Sequence, residues 1–278
     1  MRRLVIAIIV VGALAFGGTK VWQALSKPLN AFLSSGPQCT ATVDAGSASL
    51  SPEQTENAAV IAAVAVRRGL PPRAVTIALA TAMQESKLQN LNYGDADSLG
   101  LFQQRPSMGW GNAKQITDPV YAANAFYSAL IKIPNYETKP IGEVAQAVQH
   151  SADVSSGPSY AQHEADARAF ASTLTGYSPH GLSCQTTTPT TSYPKTAVTE
   201  ITSFYGAYVG TPITRGTTTT FPVTGTATQG WAVAAYLVAQ SQRIGLVQVS
   251  WDGWTWTSNH GWKQSDANTV GVVALMAS

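Results

Sequence analysis

An alanine-rich stretch, residues 51–184, places the strongest constraint on how this chain folds. Its apolar side chains recur at the i, i+3, i+4 spacing of helices that bury one face. Ser51-Pro52 is a typical helix start, and Gly69 is a typical helix stop. The pattern predicts an all-α globular domain. Its helices are expected at approximately residues 52–68, 71–86, 119–131, 141–149 and 160–174.

A change of composition follows the helical stretch. Residues 185–195 form a Thr/Pro linker, which is expected to be extended and semi-rigid. Residues 196–278 are rich in Thr, Gly and Trp, and within them residues 229–243 predict a helix. Asp252-Gly253 lies between two alternating apolar segments, which is a strong hairpin signal. The sequence therefore predicts a small α+β C-terminal domain after the all-α domain.

The N-terminus predicts export. Two arginines precede an almost wholly apolar run, Leu4–Phe16. We expect residues 1–22 to form an uncleaved membrane helix; the alternative, a cleaved signal peptide, exports the rest of the chain equally. The positive-inside rule keeps the arginines in the cytoplasm and places the remainder outside the cytoplasmic membrane. Residues 23–50, which contain Ser, Gly and Pro, are expected to be a stalk.

The chain has two cysteines, Cys39 and Cys184, at the edges of the helical stretch. In an oxidising compartment they are expected to form one disulfide. The alternative is a pair of unpaired thiols. A loop of this length would remove about 4–5 kcal/mol of denatured-state entropy in the chain-entropy treatment.

Composition excludes several classes of protein. Only one stretch is apolar enough to span a bilayer, so a polytopic transporter is excluded. A net charge of +2 without a basic run argues against a protein that binds nucleic acid by neutralising phosphates. Four histidines without ligand spacing, and two cysteines, indicate no metal site. We expect no cofactor.

Glu85 is the residue most indicative of chemistry. It ends a predicted apolar helix and precedes a polar, glycine-containing stretch. A carboxyl facing a cleft at this point would lose solvation, and desolvation raises the pKa of a carboxyl. A protonated carboxyl can protonate a glycosidic oxygen as the leaving group departs. The alternative is an ordinary solvated glutamate at a helix end.

Around Glu85 the sequence resembles the lysozyme-like family of lytic transglycosylases and goose-type lysozymes. The resemblance lies in a Glu-Ser pair, Glu85-Ser86, and in a Gly-Leu-x-Gln turn that places Gln103 eighteen residues after Glu85. Residues 145–151 lack the Tyr-Asn pair that many members carry there. The resemblance covers roughly residues 52–178. A secreted actinobacterial group with this domain shares residues 84–88, 94–95, 97–106 and 109–111.

This resemblance implies cleavage of the β-1,4 bond between N-acetylmuramic acid and N-acetylglucosamine, with Glu85 as the general acid. A lytic transglycosylase needs one glutamate and forms a 1,6-anhydro product. A hydrolase usually needs a second carboxylate that activates or orients water. Asp95 and Asp97, on the polar loop after Glu85, are candidates for that second role. Both also fit ordinary turn chemistry, and both reactions remain open.

Further residues near this motif are expected to contact the glycan. They offer amides, hydroxyls, an aromatic surface, a guanidinium or a close backbone approach. The predicted substrate-binding residues are Ser98, Gly100, Gln103, Gln104, Arg105, Trp110, Tyr121 and Gln149. In the C-terminal segment, Trp254 and Trp256 share one face of the predicted hairpin. They serve either as core residues or as a stacking surface for cell-wall sugar.

Two functions remain for the whole chain. The first is a peptidoglycan-cleaving enzyme whose partners are glycan strands and, through its N-terminal helix, the membrane. The second is a non-catalytic glycan-binding or scaffold protein of the cell envelope. Cleavage requires a protonatable Glu85 in a cleft, whereas binding does not.

Overall fold

The computed structural model describes residues 36–149, 156–187, 189, 191–266 and 270–277. It contains the first two predicted helices. Helix α1 spans Pro52–Arg67 and helix α2 spans Pro72–Ser86. Ser51 caps α1, because its Oγ accepts a hydrogen bond from the Gln54 backbone N–H at 3.2 Å. The Gln54 side chain in turn accepts one from the Ser51 backbone N–H at 2.9 Å. This capping box fixes where the helix begins.

The remaining helices of the alanine-rich stretch pack around α1 and α2. A short 3₁₀ helix, Pro106–Met108, interrupts the long loop that follows α2. The α-helices are α3 (Ala113–Ile116), α4 (Pro119–Leu130), α5 (Ile141–Gln149), α6 (Ser156–Ala161) and α7 (Glu164–Leu174). Helix α7 packs closely on α2, and α4 packs on α1.

The prediction of an all-α domain is wrong, because the helices carry a three-stranded antiparallel sheet. Its strands are β1 (Gln38–Val43), β2 (Gly46–Leu50) and β3 (Leu182–Gln185), in the order β2-β1-β3. The first two strands lie in the segment that was expected to be a stalk. Their small side chains give little hydrophobic alternation, and β3 comes more than a hundred residues later in the chain. Alternate residues of β1 are nevertheless buried, and both β1 and β2 pack on α7.

The disulfide prediction is confirmed. Cys39 and Cys184 are direct partners across the β1–β3 pair, and their sulfurs are bonded. Both residues are fully buried. The bond joins positions 145 residues apart, and a loop of this size removes about 5 kcal/mol of denatured-state entropy in the chain-entropy treatment.

The C-terminal segment has the predicted α+β character. Its helices are α8 (Pro194–Tyr205), α9 (Ala227–Ala239) and α10 (Ser241–Ile244). Its strands are β4 (Ile213–Arg215), β5 (Thr218–Pro222), β6 (Leu246–Trp251), β7 (Trp254–Thr257), β8 (Gly261–Gln264) and β9 (Gly271–Met276). They form one antiparallel sheet in the order β4-β5-β9-β6-β7-β8. The predicted hairpin is β6–β7, and both turn residues, Asp252 and Gly253, have positive φ.

The alanine-rich and C-terminal segments share one core. Helix α9 packs on α1, α7 and β3, and residues 37–278 cluster as one compact unit. Trp262 donates its indole N–H to the Leu182 carbonyl at 2.7 Å. Trp256 is fully buried, and Trp254 is partly buried with the His180 ring stacked on it. These contacts favour the core interpretation of the hairpin tryptophans over the sugar-stacking one.

The predicted N-terminal membrane helix, residues 1–22, lies outside the described residues. Within the part of the chain that the structure describes, no helix is both long and apolar enough to cross a membrane. The two sheets contradict only the all-α part of the predicted fold class. The architecture is mixed, with helices packed on two antiparallel sheets.

Charged groups meet where α1 faces the C-terminal helices. Arg243 of α10 donates to Glu200 of α8 at 2.6 Å, and Tyr236 of α9 donates to the same oxygen at 3.1 Å. Glu56 of α1 lies beside this pair. Burial raises the pKa of Glu56 to about 7, although Arg243 opposes the shift; Glu53 and Glu200 reinforce it. Ionisation of Glu56 near neutral pH therefore weakens the packing of α1 on these helices.

The pKa of Glu56 predicts a pH-dependent stability. A carboxyl whose pKa is raised in the folded state favours folding at low pH, and that contribution is lost as pH rises from about 4.5 to about 7. Because Glu56 is partly exposed, solvent screening reduces the effect to on the order of 1 kcal/mol. We expect Glu56→Gln to raise the melting temperature at pH 8 by about 2–4 °C and to leave it unchanged at pH 4. The exposed Asp266→Asn is the control, because no ion pair to Asp266 is formed by the described residues. Equal behaviour of the two variants in thermal melts would contradict the prediction.

Candidate functional site

Glu85 lies in the last turn of α2, where the helix ends in a reversal of the backbone. It is half-buried, between the exposed Gln84 and the buried Ser86. Lys87 and Leu88 then adopt left-handed conformations, with φ of 54° and 58°. The side chain of Leu88 is fully buried. This reversal carries the chain away from the helix axis and leaves the Glu85 carboxyl at the helix end.

A tyrosine holds the Glu85 carboxyl. The Tyr160 hydroxyl donates a hydrogen bond to Glu85 Oε1 at 2.6 Å. Tyr160 belongs to α6, which packs on α2, and its side chain is buried. Burial raises the pKa of the Tyr160 hydroxyl, and the adjacent Glu85 carboxylate raises it further, so the tyrosine remains a donor. Among the described residues, no other hydrogen bond to Glu85 is formed.

A second polar group lies next to Glu85. The Gln84 side-chain oxygen is 3.1 Å from Gln162 Nε2 and 3.2 Å from His163 Nε2. Gln162 donates, and His163 donates in the tautomer that carries its proton on Nε2. Burial lowers the pKa of His163, with Asp166 opposing, so the neutral imidazole is favoured. Beside the acid, Gln84, Gln162 and His163 therefore form a polar cluster whose groups bond to one another.

Ser86 ties the motif loop to the end of α2. Its Oγ lies 2.7 Å from the Leu101 carbonyl and 3.1 Å from the Ala82 carbonyl, and it is buried. The predicted Glu-Ser pair thus has a physical division of roles. Glu85 presents a carboxyl, and Ser86 anchors the loop beside it.

The Gly-Leu-x-Gln turn is built around Gly100. Leu99 and Gln104 exchange both backbone hydrogen bonds, at 2.9 and 3.0 Å, and so close the turn. Gly100 has φ of +74°, and a Cβ there would lie 2.5 Å from the Ile116 carbonyl oxygen. Gly100 was predicted to allow close approach of the glycan. In the structure, its missing side chain allows close approach of α3.

Asp97 and Asp95 differ in their surroundings. Asp97 accepts hydrogen bonds from Arg105 Nε at 2.8 Å, from the Ser107 backbone N–H at 2.8 Å and from Ser107 Oγ at 2.9 Å. The Arg105 guanidinium, with help from Ser107, lowers the pKa of Asp97 to about 2. Asp95 is exposed, and its backbone carbonyl accepts from Ser98. Asp97 and the predicted binding residue Arg105 therefore hold each other.

The three predicted amides all bond to the backbone. Gln103 Nε2 donates to the Tyr93 and Gly100 carbonyls, each at 3.3 Å. Gln104 is buried and donates to the Ala122 carbonyl at 3.3 Å. Gln149, in the segment that lacks the Tyr-Asn pair of the family, donates to the Phe102 carbonyl at 2.7 Å. These side chains give the loop its shape.

The remaining predicted binding residues border the same loop. Ser98 is buried. Trp110 is partly buried against the core. Tyr121 packs against Gly111, where a Cβ would lie 2.8 Å from the tyrosine hydroxyl oxygen. Trp110 and Tyr121 are thus both half-buried.

Sequence reasoning missed Tyr160, Gln162 and His163 as site residues. Tyr160 is 75 residues from Glu85 along the chain, so no local spacing joins the two. The sequence predicted a helix beginning near Tyr160, which gave no indication of the direction of the ring. Among the described residues, no group of three or more His, Cys, Asp or Glu side chains could hold a metal ion.

No protein-family model matches the chain, and no curated protein matches it. The resemblance to the lysozyme-like family therefore depends on the Glu-Ser pair, the Gly-Leu-x-Gln turn and the neighbouring residues alone. The geometry around Glu85 provides a separate argument for a site at this place.

The tight turn at Gly100 predicts a large cost for an added methyl group. Gly100→Ala must tolerate both a left-handed backbone and an overlap with the Ile116 carbonyl. We expect a loss of about 3 kcal/mol in the free energy of unfolding. Gly109→Ala is the matched control, because its φ is +80° but its Cβ would meet nothing within 4 Å. It should lose only about 1 kcal/mol. Equal losses in urea unfolding would contradict the role assigned to the close contact.

Proposed function

We propose that the chain is a peptidoglycan-cleaving enzyme that cuts the β-1,4 bond between N-acetylmuramic acid and N-acetylglucosamine, with Glu85 as the general acid. The observation that carries the proposal is the half-buried Glu85 carboxyl, oriented by Tyr160 at the end of α2. The loop that Ser86 holds next to it supports a ligand site at the same place. The resemblance to the lysozyme-like family supplies the substrate.

The proposed reaction needs one carboxyl. Glu85 gives its proton to the glycosidic oxygen while the bond from that oxygen to C1 of the muramoyl residue breaks. The muramoyl C6 hydroxyl then attacks C1, and Glu85 takes the proton that this hydroxyl releases. The products are a 1,6-anhydromuramoyl end and a free 4-hydroxyl, and Glu85 is protonated again. Tyr160 acts as a positioning residue, because it contacts Oε1 and leaves Oε2 for the substrate.

The surroundings of Asp97 favour this intramolecular reaction over hydrolysis. A second catalytic carboxylate must have an oxygen free for water, or must reach the sugar directly. Both Asp97 oxygens already accept hydrogen bonds, from Arg105 and Ser107. Asp95 is exposed and is the remaining candidate for a hydrolytic reaction. We therefore infer a lytic transglycosylase, with a muramidase as the alternative outcome of the same experiment.

The proposed place of action is outside the cytoplasm. A buried disulfide between Cys39 and Cys184 supports this location, because such bonds persist in oxidising compartments. The apolar N-terminal run supports export on sequence grounds. Peptidoglycan glycan strands, the proposed substrate and partner, occur in that compartment.

The experiment that tests the proposal is a digest of purified peptidoglycan by the full chain, read by mass spectrometry. We expect 1,6-anhydromuramoyl products, and we expect Glu85→Gln to reduce their rate of formation at least a thousandfold, since the proposed general acid is lost. Glu53→Gln makes the same chemical change at an exposed position of α1 and should leave the rate unchanged.

The outcomes of the digest separate the alternatives. Reducing-end products that depend on Glu85 would replace the lyase with a hydrolase, and an Asp95→Asn variant would then test the second carboxylate. Retained binding to insoluble peptidoglycan without any product would overturn the enzyme proposal. It would favour the second candidate, a glycan-binding or scaffold protein of the cell envelope.

The contact between Tyr160 and Glu85 predicts a selective effect on turnover. Tyr160→Phe removes the donor but keeps the buried ring, so the carboxyl loses its orientation. A hydrogen bond to a charged group contributes about 1.5–3 kcal/mol, which corresponds to a decrease in kcat of about 10- to 100-fold. KM should change little, because the Tyr160 hydroxyl contacts the Glu85 carboxyl and not the substrate. Tyr93→Phe, at an exposed tyrosine, is the control. A change in KM or melting temperature alone would assign Tyr160 a merely structural role.

A further inference from the structure

A surface cavity lies away from Glu85, at the other end of α7. It occupies about 410 Å³ between the turn that joins β1 to β2 and the loop of residues 176–181. Tyr160 and His163 precede α7, whereas this loop follows it. The helix has 11 residues, so its ends are about 16 Å apart. The cavity is therefore separate from the site around Glu85.

The lining of the cavity combines the phenol ring of Tyr177 with the polar groups of Asp44 and His180. Tyr177 is 65% exposed, and Asp44 and His180 are exposed as well. Within the described part of the chain, nothing bonds to the Asp44 carboxylate, the Tyr177 hydroxyl or the His180 ring nitrogens. The other side chains at the cavity include those of Thr42, Val43, Ser178 and Pro179.

Hydrogen bonds and a disulfide tie the walls of the cavity together. The backbone N–H of Thr42 donates to the Gly181 carbonyl at 2.8 Å, which joins the loop to β1. The Tyr177 backbone N–H donates to the Ser172 carbonyl at 2.9 Å, and the hydroxyls of Ser172 and Ser178 are 2.7 Å apart. The Cys39–Cys184 disulfide holds the strands on either side. A cavity preorganised in this way spends little conformational entropy when a ligand binds.

His180 fixes the remaining side of the cavity. Its ring stacks on Trp254 with ring centroids 4.0 Å apart, and it contacts Trp231 edge-on at 5.7 Å. Burial lowers the pKa of His180, which favours the neutral ring at pH 7. A neutral imidazole has one donor and one acceptor nitrogen, so it can bond to a hydroxyl in either sense.

We propose that this cavity is a saccharide-binding site, in which a pyranose ring packs on Tyr177 and its hydroxyls donate hydrogen bonds to Asp44 and His180. The volume lies within the range of small-molecule sites, about 300–1,000 Å³. An anionic ligand such as a nucleotide is disfavoured, because Asp44, which is negative, is the only charged residue among the described residues of the lining. A purely apolar ligand would leave the polar groups of the cavity unpaired after losing water.

The proposal does not require Glu85 to be catalytic. If Glu85 does cleave a glycan, a second contact on the same strand raises the effective concentration of the polymer at the enzyme. If it does not, the cavity remains a binding site for sugar. The two proposals can therefore fail separately.

The test is isothermal titration of the full chain carrying Glu85→Gln with the tetramer of N-acetylglucosamine. We expect Tyr177→Ala to weaken one binding step at least tenfold, because the ring provides the stacking surface. Asp44→Asn should weaken the same step about threefold or more. Tyr193→Ala, which removes a tyrosine ring that is 52% exposed elsewhere, is the matched control and should bind as the parent does. Thermal melts check that each variant is folded.

Other outcomes would overturn either the saccharide site or the proposed activity of Glu85. Equal affinities of Tyr177→Ala and Tyr193→Ala, or no binding at millimolar sugar, would overturn the saccharide site. Binding of lysine amide that depends on Asp44, without binding of the sugar, would overturn it in favour of an amine site. Loss of glycan cleavage in the digest, with Tyr177-dependent binding intact, would overturn only the proposed activity of Glu85.

Discussion

The pairing of β1 with β3, closed by the Cys39–Cys184 disulfide, is the constraint on which the rest of the structure depends. It joins two positions that are 145 residues apart and encloses the whole alanine-rich stretch. Strand β1 also pairs with β2, and both strands pack on α7. The same sheet borders α9 of the C-terminal segment through β3. Without this closure, the hairpin of small residues would have too little apolar surface to hold its place.

Helix α7 lies between the two proposed sites. Tyr160 and His163 precede it and contact Glu85 and Gln84, whereas Tyr177 follows it and lines the separate cavity. The arrangement assigns different physical requirements to the two ends. A reacting carboxyl needs one oriented oxygen and one free oxygen, whereas a binding cavity needs several unpaired groups on rigid walls. Each end of α7 meets one of these requirements.

Local features of the sequence predicted local structure well. The Ser51 cap, the Gly69 stop, the Asp252-Gly253 turn and the cysteine pair each depend on a few neighbouring residues or on simple chemistry, and the structure contains all four. The three-stranded sheet was missed because the side chains of its first two strands are small, and because its third strand comes more than a hundred residues later in the chain. Tyr160 was missed for a similar reason, since its contact with Glu85 spans 75 residues and follows no periodicity.

The predicted glycan-binding residues illustrate a more general limit of motif reasoning. Gln103, Gln104 and Gln149 carry the amides that suit sugar recognition, yet each donates to a backbone carbonyl of the fold. A buried carbonyl without a donor costs about 1–3 kcal/mol, so the loop beside Glu85 needs such side chains merely to hold its shape. A motif therefore combines residues that act on a ligand with residues that build the loop. The contacts of each side chain distinguish them here: Oε2 of Glu85 accepts no hydrogen bond from the described residues, whereas the glutamines make bonds within the protein.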